Sequence, residues 1–279
     1  VVAPDKPQSA MGHAITINKP LRLDKTTYHG EVMGYQCSGT PVDCVKLAID
    51  KIHEVNADII VLTETSKAID LSSIYPYQIS TLSYERTPQE QWVTVWSKWE
   101  IIQQIVTFDN YRTVSGIVKT PFGNVCIFGT IIPYHQAGVS GVRYGNLNYK
   151  SWEYHEKDLF AQGENWKNIL ETQKLPLLII GDFNQTRFNN KGYGTKKVRD
   201  ILSIILNKLD LKCVTEIDFS EKYLTADSKG KIRNNIDHIC ISNKLINQMK
   251  SHEVGAWNHF TEYGKNMSDH NGVFIEFEF

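Results

Sequence analysis

The sequence predicts an α+β fold, an α/β sandwich of two packed mixed β-sheets flanked by helices. Two observations carry this expectation. Strand-like runs outnumber helical ones, and the strand runs follow one another with only a few helices between them, instead of alternating strand for helix. A third, the absence of any internal repeat, low-complexity tract or Gly/Ser linker, predicts a single domain over residues 1–279.

The elements follow in order. "VVAPD", "HAITI", "LRL" and "EVMGYQC" read as strands with turns between them. In "SGTPVDCVKLAIDKIHEVNA", Ser38 or Thr40 can cap a helix with Pro41 in its first turn. Val42, Val45, Leu47, Ile49 and Ile52 give it an apolar side, which predicts helix 41–54 leading into strand 58–63. "YQIST", "QWVTVWS", "EIIQQIVTF", "VSGIVKT" and "NVCIFGTII" read as strands, with "TPFGN" a hairpin turn between the last two. Helices are expected over roughly 149–172 and 197–209, with the buried strand "LPLLIIGDFN" between them. "NIDHICIS" and "NGVFIEFEF" are the closing strands.

Composition narrows the function classes. A hydrophobic content of 41% and a charged content of 22% belong to an ordinary globular protein. The net charge of −1 provides no field for tight non-specific nucleic-acid binding, and argues mildly against a processive nucleic-acid enzyme. Lys191, Lys196, Lys197 and Arg199 form one basic patch, which reads as a solvated helix start before a phosphate contact. Trp92, Trp96, Trp152, Trp166 and Tyr144 can stack on bases, though aromatic residues at such spacings more often fill a core. The five cysteines are widely spaced, odd in number and form no Cys-X-X-Cys pair, so neither a disulfide framework nor a zinc site is expected and a reducing, cytoplasmic compartment is. No apolar run approaches bilayer length, and no signal-peptide pattern is expected. The chain opens on Val-Val with no methionine, as a fragment or a processed start would.

Acidic residues recur at strand ends. Glu64 follows the apolar run of "DIIVLTET", Asp182 and Asn184 follow that of "LLIIGDFN", Asp237 opens "IDHICIS", and Asp269 with His270 precede "NGVFIEF". One such residue is ordinarily a turn former. Four acidic strand ends, two with an Asn or His beside them, suggest oxygen ligands gathered at a sheet rim, a set suited to Mg²⁺ or Mn²⁺. An adjacent Asp–His pair adds an imidazole that can be oriented toward a phosphate.

"DIIVLTET", "GDFN", "IDHI" and "SDH", in this order, resemble the endonuclease/exonuclease/phosphatase superfamily, the fold of DNase I, exonuclease III and sphingomyelinases, over about residues 57–279. The resemblance implies a two-sheet sandwich and metal-dependent cleavage of a phosphoester, in nucleic acid, nucleotide or a generic diester. It implies that Glu64 binds the metal and that Asp182 and Asn184 position and activate the attacking water. Asp237 would orient His270, His270 would contact the scissile phosphate, and Asp269 would help hold the metal or the water. Residue identity alone leaves open whether Asp182 or His270 is the general base. The pattern departs from the family twice. The usual first-strand Asn is absent; Gln36, twenty-eight positions before Glu64 (64 − 36), can offer the same carbonyl oxygen or be an ordinary polar strand residue. With Pro133 aligned to the family's Tyr-X-Pro, Ile131 takes the Tyr position, while Tyr134 and His135 nearby can serve the substrate or simply line a surface loop.

"VVAPDKPQSAMGHAITINKPLRL" and "YQCSGTPVDCVKLAIDKI" resemble a second family, the SurE 5′/3′-nucleotidases, over about residues 1–53. Of the metal ligands that resemblance implies, an Asp pair, a Ser and an Asn, only Ser9 is present. The chain therefore reads as chimeric. A SurE-like strand–hairpin–helix segment, 1–56, supplies the first strand and helix to a body spanning 57–279, with the join near 53–58. Three functions follow: a metal-dependent phosphodiesterase of the second part, a SurE-like nucleotidase, or a folded chimera with an impaired site.

Overall fold

The computed structural model describes residues 2–4, 23–28, 31–37, 56–85, 87–140, 147–188, 192–217, 219, 235–257 and 270–279, with side chains described from residue 56 onward except that of Trp257. The helix expected over 41–54 and the strand "HAITI" lie outside the described residues, as do Ser9, Tyr144, Lys191 and Asp269.

At the front, β1 (Val2–Pro4) runs parallel to β3 (Glu31–Cys37), and β2 (Leu23–Tyr28) pairs antiparallel to β3's other edge. Gln36 sits in β3 with Ala3 and Asp24 as its register partners. A second sheet has the order β4-β6-β5, from β4 (Ile59–Ser66), β5 (Tyr77–Ser80) and β6 (Glu90–Ser97), all antiparallel.

The central sheet has six strands. These are β7 (Ile101–Ile105), β8 (Thr113–Thr120), β9 (Gly123–Ile131), β10 (Leu177–Asp182), β11 (Leu211–Cys213) and β12 (Asp237–Ser242), in the order β11-β12-β10-β9-β8-β7. Only the β9–β10 pair is parallel, so the sheet is mixed. The parallel pair requires a crossover, and helix α1 (Glu153–Gln173) provides it. Thr120 faces Gly123 across the two-residue "PF" turn, where the hairpin was expected. Two further strands, β13 (Ser251–Trp257) and β14 (Gly272–Glu278), form an antiparallel pair.

Alternation along the strands assigns the faces. Cys126 and Phe128 of β9, Leu177 and Ile179 of β10, and Cys240 of β12 join Leu159, Trp166 and Ile169 of α1 and Val198, Leu202 and Leu206 of α2 (Lys196–Lys208) in one core. Their neighbours Val125, Ile127 and Ile131, Leu178, and Ile239 and Ile241 face the other way. There they meet Val93 and Val95 of β6, together with Val254 of β13 and Val273 and Ile275 of β14. The result is helices on one face of the six-stranded sheet and the β4-β6-β5 and β13-β14 sheets on the other, the sandwich the sequence predicts. A short helix α3 (Asn243–Ile246) follows β12.

Trp166 is buried in the first of these cores and Trp96 in a separate cluster with Ile69, Leu71 and Tyr75, so neither can stack on a base. The described members of the basic patch are engaged within the fold. Lys196 pairs with Asp200, Lys197 with Glu156, and the buried Arg199 donates to the Gly194 carbonyl at 2.8 Å.

Candidate active site

The register places the site. Asp182, the last residue of β10, lies opposite Asp237, the first of β12, on one side and opposite Ile131, the last of β9, on the other. Two carboxylates on facing positions repel in the absence of a cation. Burial, and after it the charge of Asp237, holds the Asp182 carboxyl well above the usual carboxylate range. His270 and the Asn184 N–H act in the opposite direction, and Glu64 adds to the rise.

Asp182 is clamped by its own loop. The Asn184 N–H donates to Asp182 Oδ1 at 2.7 Å, and Asn184 Nδ2 donates to Asp182 Oδ2 at 2.6 Å and to the Ile132 carbonyl at 3.0 Å. Both partners of the amide nitrogen are acceptors, which fixes the amide's orientation. Asn184 Oδ1 has no hydrogen bond among the described residues. Asn184 adopts a left-handed backbone, φ 47°, which Asn tolerates better than other non-glycine residues.

His270 stands just ahead of β14 with Nδ1 2.8 Å from Asp237 Oδ2. Ligand atoms of Asp182, Asp237 and His270 all lie within 4.8 Å of one another, a group able to hold a metal ion. Glu64 comes from the other sheet. Strand β4 packs against β10, and the Glu64 charge acts on Asp182. It too is left-handed, φ 51°, between the paired positions Thr63–Val93 and Thr65–Gln91. A non-glycine residue in that region mid-strand is strained, as residues at functional sites often are.

Tyr134 and His135 lie in the segment leaving β9, which several bonds hold in place. Ile132 N–H donates to the Asp182 carbonyl at 2.8 Å, Trp152 N–H donates to the His135 carbonyl at 2.7 Å, and His155 Nδ1 lies 2.7 Å from the Pro133 carbonyl. Trp152, at the N-cap of α1, is left-handed, φ 70°, so the helix starts at Glu153 instead of near 149 as expected. His155 is buried, and that burial pushes its imidazole down to about 4, against the pull of the Pro133 carbonyl. It therefore stays neutral in the fold while the unfolded chain takes up a proton near pH 6.5. Stability is fully present above pH 6.5 and falls as the pH drops toward 4, by up to about 3 kcal/mol. Thermal melts across that range should show this slope, and His155→Gln should flatten it.

Sequence reasoning missed Tyr193, whose Oη lies 2.7 Å from His135 Nδ1 and 3.2 Å from the His135 amide nitrogen. The available signal was its setting, Gly-Tyr-Gly, with both glycines at positive φ (95° and 113°) shaping the loop after Asn184.

Comparisons with known proteins give a sequence match at the front and a match by shape over most of the chain. The sequence model of the family described as "Survival protein SurE" matches residues 1–63. The 5′-nucleotidase SurE of Flavobacterium johnsoniae is 61% identical over 62 residues, which is 22% of this chain and 24% of that protein. SurE of Flavobacterium psychrophilum is 60% identical over the same shares. The chain thus spans about a quarter of the length of these relatives. Solved structures match most of the chain by shape, a share larger than the part beyond the SurE match. The AP endonuclease from Archaeoglobus fulgidus superposes with a TM-score of 0.58 at 13% identity, covering 85% of this chain and 95% of that one. The human Nocturnin catalytic domain gives 0.53 at 16% over 85% and 86%, and sphingomyelinase C from Streptomyces griseocarneus gives 0.52 at 17% over 84% and 90%. The chain thus carries SurE-like sequence at its front and takes the DNase I-like sandwich fold of these structures. The match to SurE runs to residue 63, inside β4 and past the join expected near 53–58, and stops one residue before Glu64.

Proposed function

We propose that the chain hydrolyses phosphoesters with the help of a divalent cation, Mg²⁺ or Mn²⁺. The observation that carries this reading is the facing pair Asp182–Asp237 with His270 bound to the second carboxylate. The donor set fits such an ion: the gathered groups are chiefly carboxylates, and Asp182 is held protonation-prone by burial and then by the charge of Asp237, the second of which a cation would relieve. Glu64, with Asp269 and the carbonyl oxygen of Gln36, would hold the ion, and the facing Asp182–Asp237 pair would add the negative charge that keeps it there. When bound, it supplies charge neutralisation on the phosphoryl oxygens.

The chain's own residues do the rest. Asn184 Oδ1 accepts a hydrogen bond from the attacking water and aligns it. Asp182 takes the water's proton at a carboxylate oxygen, a role its raised affinity for protons favours. His270, fixed through Nδ1 by Asp237, contacts the phosphoryl oxygens through Nε2, and Tyr134 and His135 border the substrate. The substrate is a nucleic acid or nucleotide ester or a similar phosphodiester. The three described free thiols, Cys126, Cys213 and Cys240, support a reducing, cytoplasmic setting. No helix among the described residues is long and apolar enough to cross a membrane.

The test is hydrolysis of bis(4-nitrophenyl) phosphate with Mn²⁺, with Mg²⁺ and with EDTA. Activity should require the metal and fall by roughly 10²–10⁴-fold in His270→Ala. Full turnover in EDTA or in His270→Ala overturns the proposal. The second reading, a SurE-like nucleotidase, is favoured by the 61% identity of the front segment and requires 5′-nucleotide hydrolysis that survives Asp182→Ala.

A further inference from the structure

The two flanks of Asp182 differ chemically. On β12 stands Asp237, linked to His270; on β9 stands Ile131, buried and without a transferable proton. A phosphoester seated at Asp182 generates an alkoxide on its leaving oxygen, and Ile131 cannot meet it. The loop after Asn184 brings a phenol to that side. The Tyr193 carbonyl accepts from the Thr186 N–H at 2.7 Å and from Thr186 Oγ1 at 3.0 Å, two residues beyond Asn184. Its Oη lies against His135, which is four residues beyond Ile131. The rings of His135, Trp152 and Tyr193 pack mutually with centroids 5.2–5.6 Å apart, and the strained Trp152 holds the His135 carbonyl. The phenol is therefore built into place from three segments of chain.

The hydrogen-bond arithmetic leaves the pair with a donor. Tyr193 Oη already accepts from the His135 N–H. If His135 Nδ1 carries a proton, it donates to the same oxygen and the phenol O–H is turned outward. If Nδ1 is bare, it accepts the phenol proton and the imidazole N–H moves to Nε2. The first arrangement is the productive one.

We propose that Tyr193 is a catalytic residue of the phosphoester hydrolase, its phenol protonating the leaving oxygen, with His135 as the positioning residue. The inference rests on the hydrolase reading above. As the water oxygen bonds to phosphorus, the bond from phosphorus to the leaving oxygen breaks and the Tyr193 proton passes to that oxygen. The proton taken from the attacking water later returns to Tyr193 through solvent, so the sum is ester plus water to acid plus alcohol. Burial first, and Asp182 after the opposing His135 contact, raise the phenol's proton affinity, so it starts the cycle protonated.

Two thymidine 5′-phosphodiesters with different leaving groups test this, both assayed with Mn²⁺. The 4-nitrophenyl ester loses a stable phenolate and needs little protonation; dithymidine phosphate loses an alkoxide and needs it. Tyr193→Phe, which keeps the ring packing, should lower kcat on the dinucleotide by about 10²-fold and on the nitrophenyl ester by less than about threefold. His135→Gln should show the same split, smaller in size. Equal losses on both esters, or none, would overturn the proposal even if Asp182→Ala is inactive. A wild-type chain that cleaves neither ester would overturn the hydrolase reading and this inference with it.

Discussion

Mn²⁺ at a hundredfold excess over its Kd should raise the melting temperature of the wild-type chain by roughly 5 °C, and Asp182→Ala should abolish the rise. The size follows from linkage: a ligand bound only by the folded state at that excess contributes about 2.7 kcal/mol, which for a chain of this size is a few degrees. The sign follows from the register. Asp182 and Asp237 face each other across β10 and β12, the exposed Glu64 adds its charge, and Asp182 itself is buried away from screening water. A divalent cation turns that repulsion into attraction, so the ion should be felt in stability as well as in turnover. Hydrolysis in Asp182→Ala should fall by about 10³-fold or more, since the variant loses both the base and the anchor for the Asn184 amide. A metal-induced shift that survives in Asp182→Ala would place the ion elsewhere and remove this carboxylate from the site.

The strand ends were readable because the code for them is short. An apolar run followed by Gly-Asp or preceded by Ile-Asp marks where a buried strand meets water, and four such ends imply a rim. The parts that were not readable obey weaker codes. Strand β13, "SHEVGAW", has three exposed residues at its start and only small or single apolar residues facing the core, so its alternation is faint. The start of α1 was misplaced because Trp152, a reasonable helix residue by propensity, is held in a left-handed turn by its tertiary bond to His135. The role of Tyr193 was hard to read for a related reason, since its Gly-Tyr-Gly setting marks a turn and not a partner. Its partner lies 58 residues away, and nothing local to "KGYGT" announces a histidine. Ile131 shows the opposite case. Aligning Pro133 was enough to place an apolar residue where a proton donor is usual, and the register sets it directly beside Asp182.

Gly181→Ala should destabilise the chain by more than about 4 kcal/mol, at the extreme end for a single methyl group. Gly181 precedes Asp182 on β10 with φ 148°, and a Cβ there would stand 1.9 Å from the Thr130 carbonyl oxygen, 2.9 Å from its carbon and 3.1 Å from its nitrogen. The obstacle is backbone of the parallel neighbour β9, so no side-chain rotation relieves it; the two strands must part. Thr130 is itself fixed, since its hydroxyl donates to Gln162 Oε1 at 2.7 Å, and Gln162 is bonded to Asp158, which pairs with Arg112 in the buried interior. Separation would also break the bond from Ile132 N–H to the Asp182 carbonyl and pull the β9 and β10 ends of the site apart. Gly123→Ala supplies the control. Gly123 has φ 120°, but its Cβ would meet nothing within 4 Å, so only the backbone preference is lost, a cost of about 1–2 kcal/mol. Urea unfolding of the two variants separates the clash from the strain. Equal losses in both would mean that β9 and β10 do not approach as closely as the site requires. The glycine of "GDFN" is thus explained by Thr130 on the neighbouring strand, and the same close approach that excludes a methyl group brings Asp182 level with Ile131 and leaves the phenol of Tyr193 to complete that side.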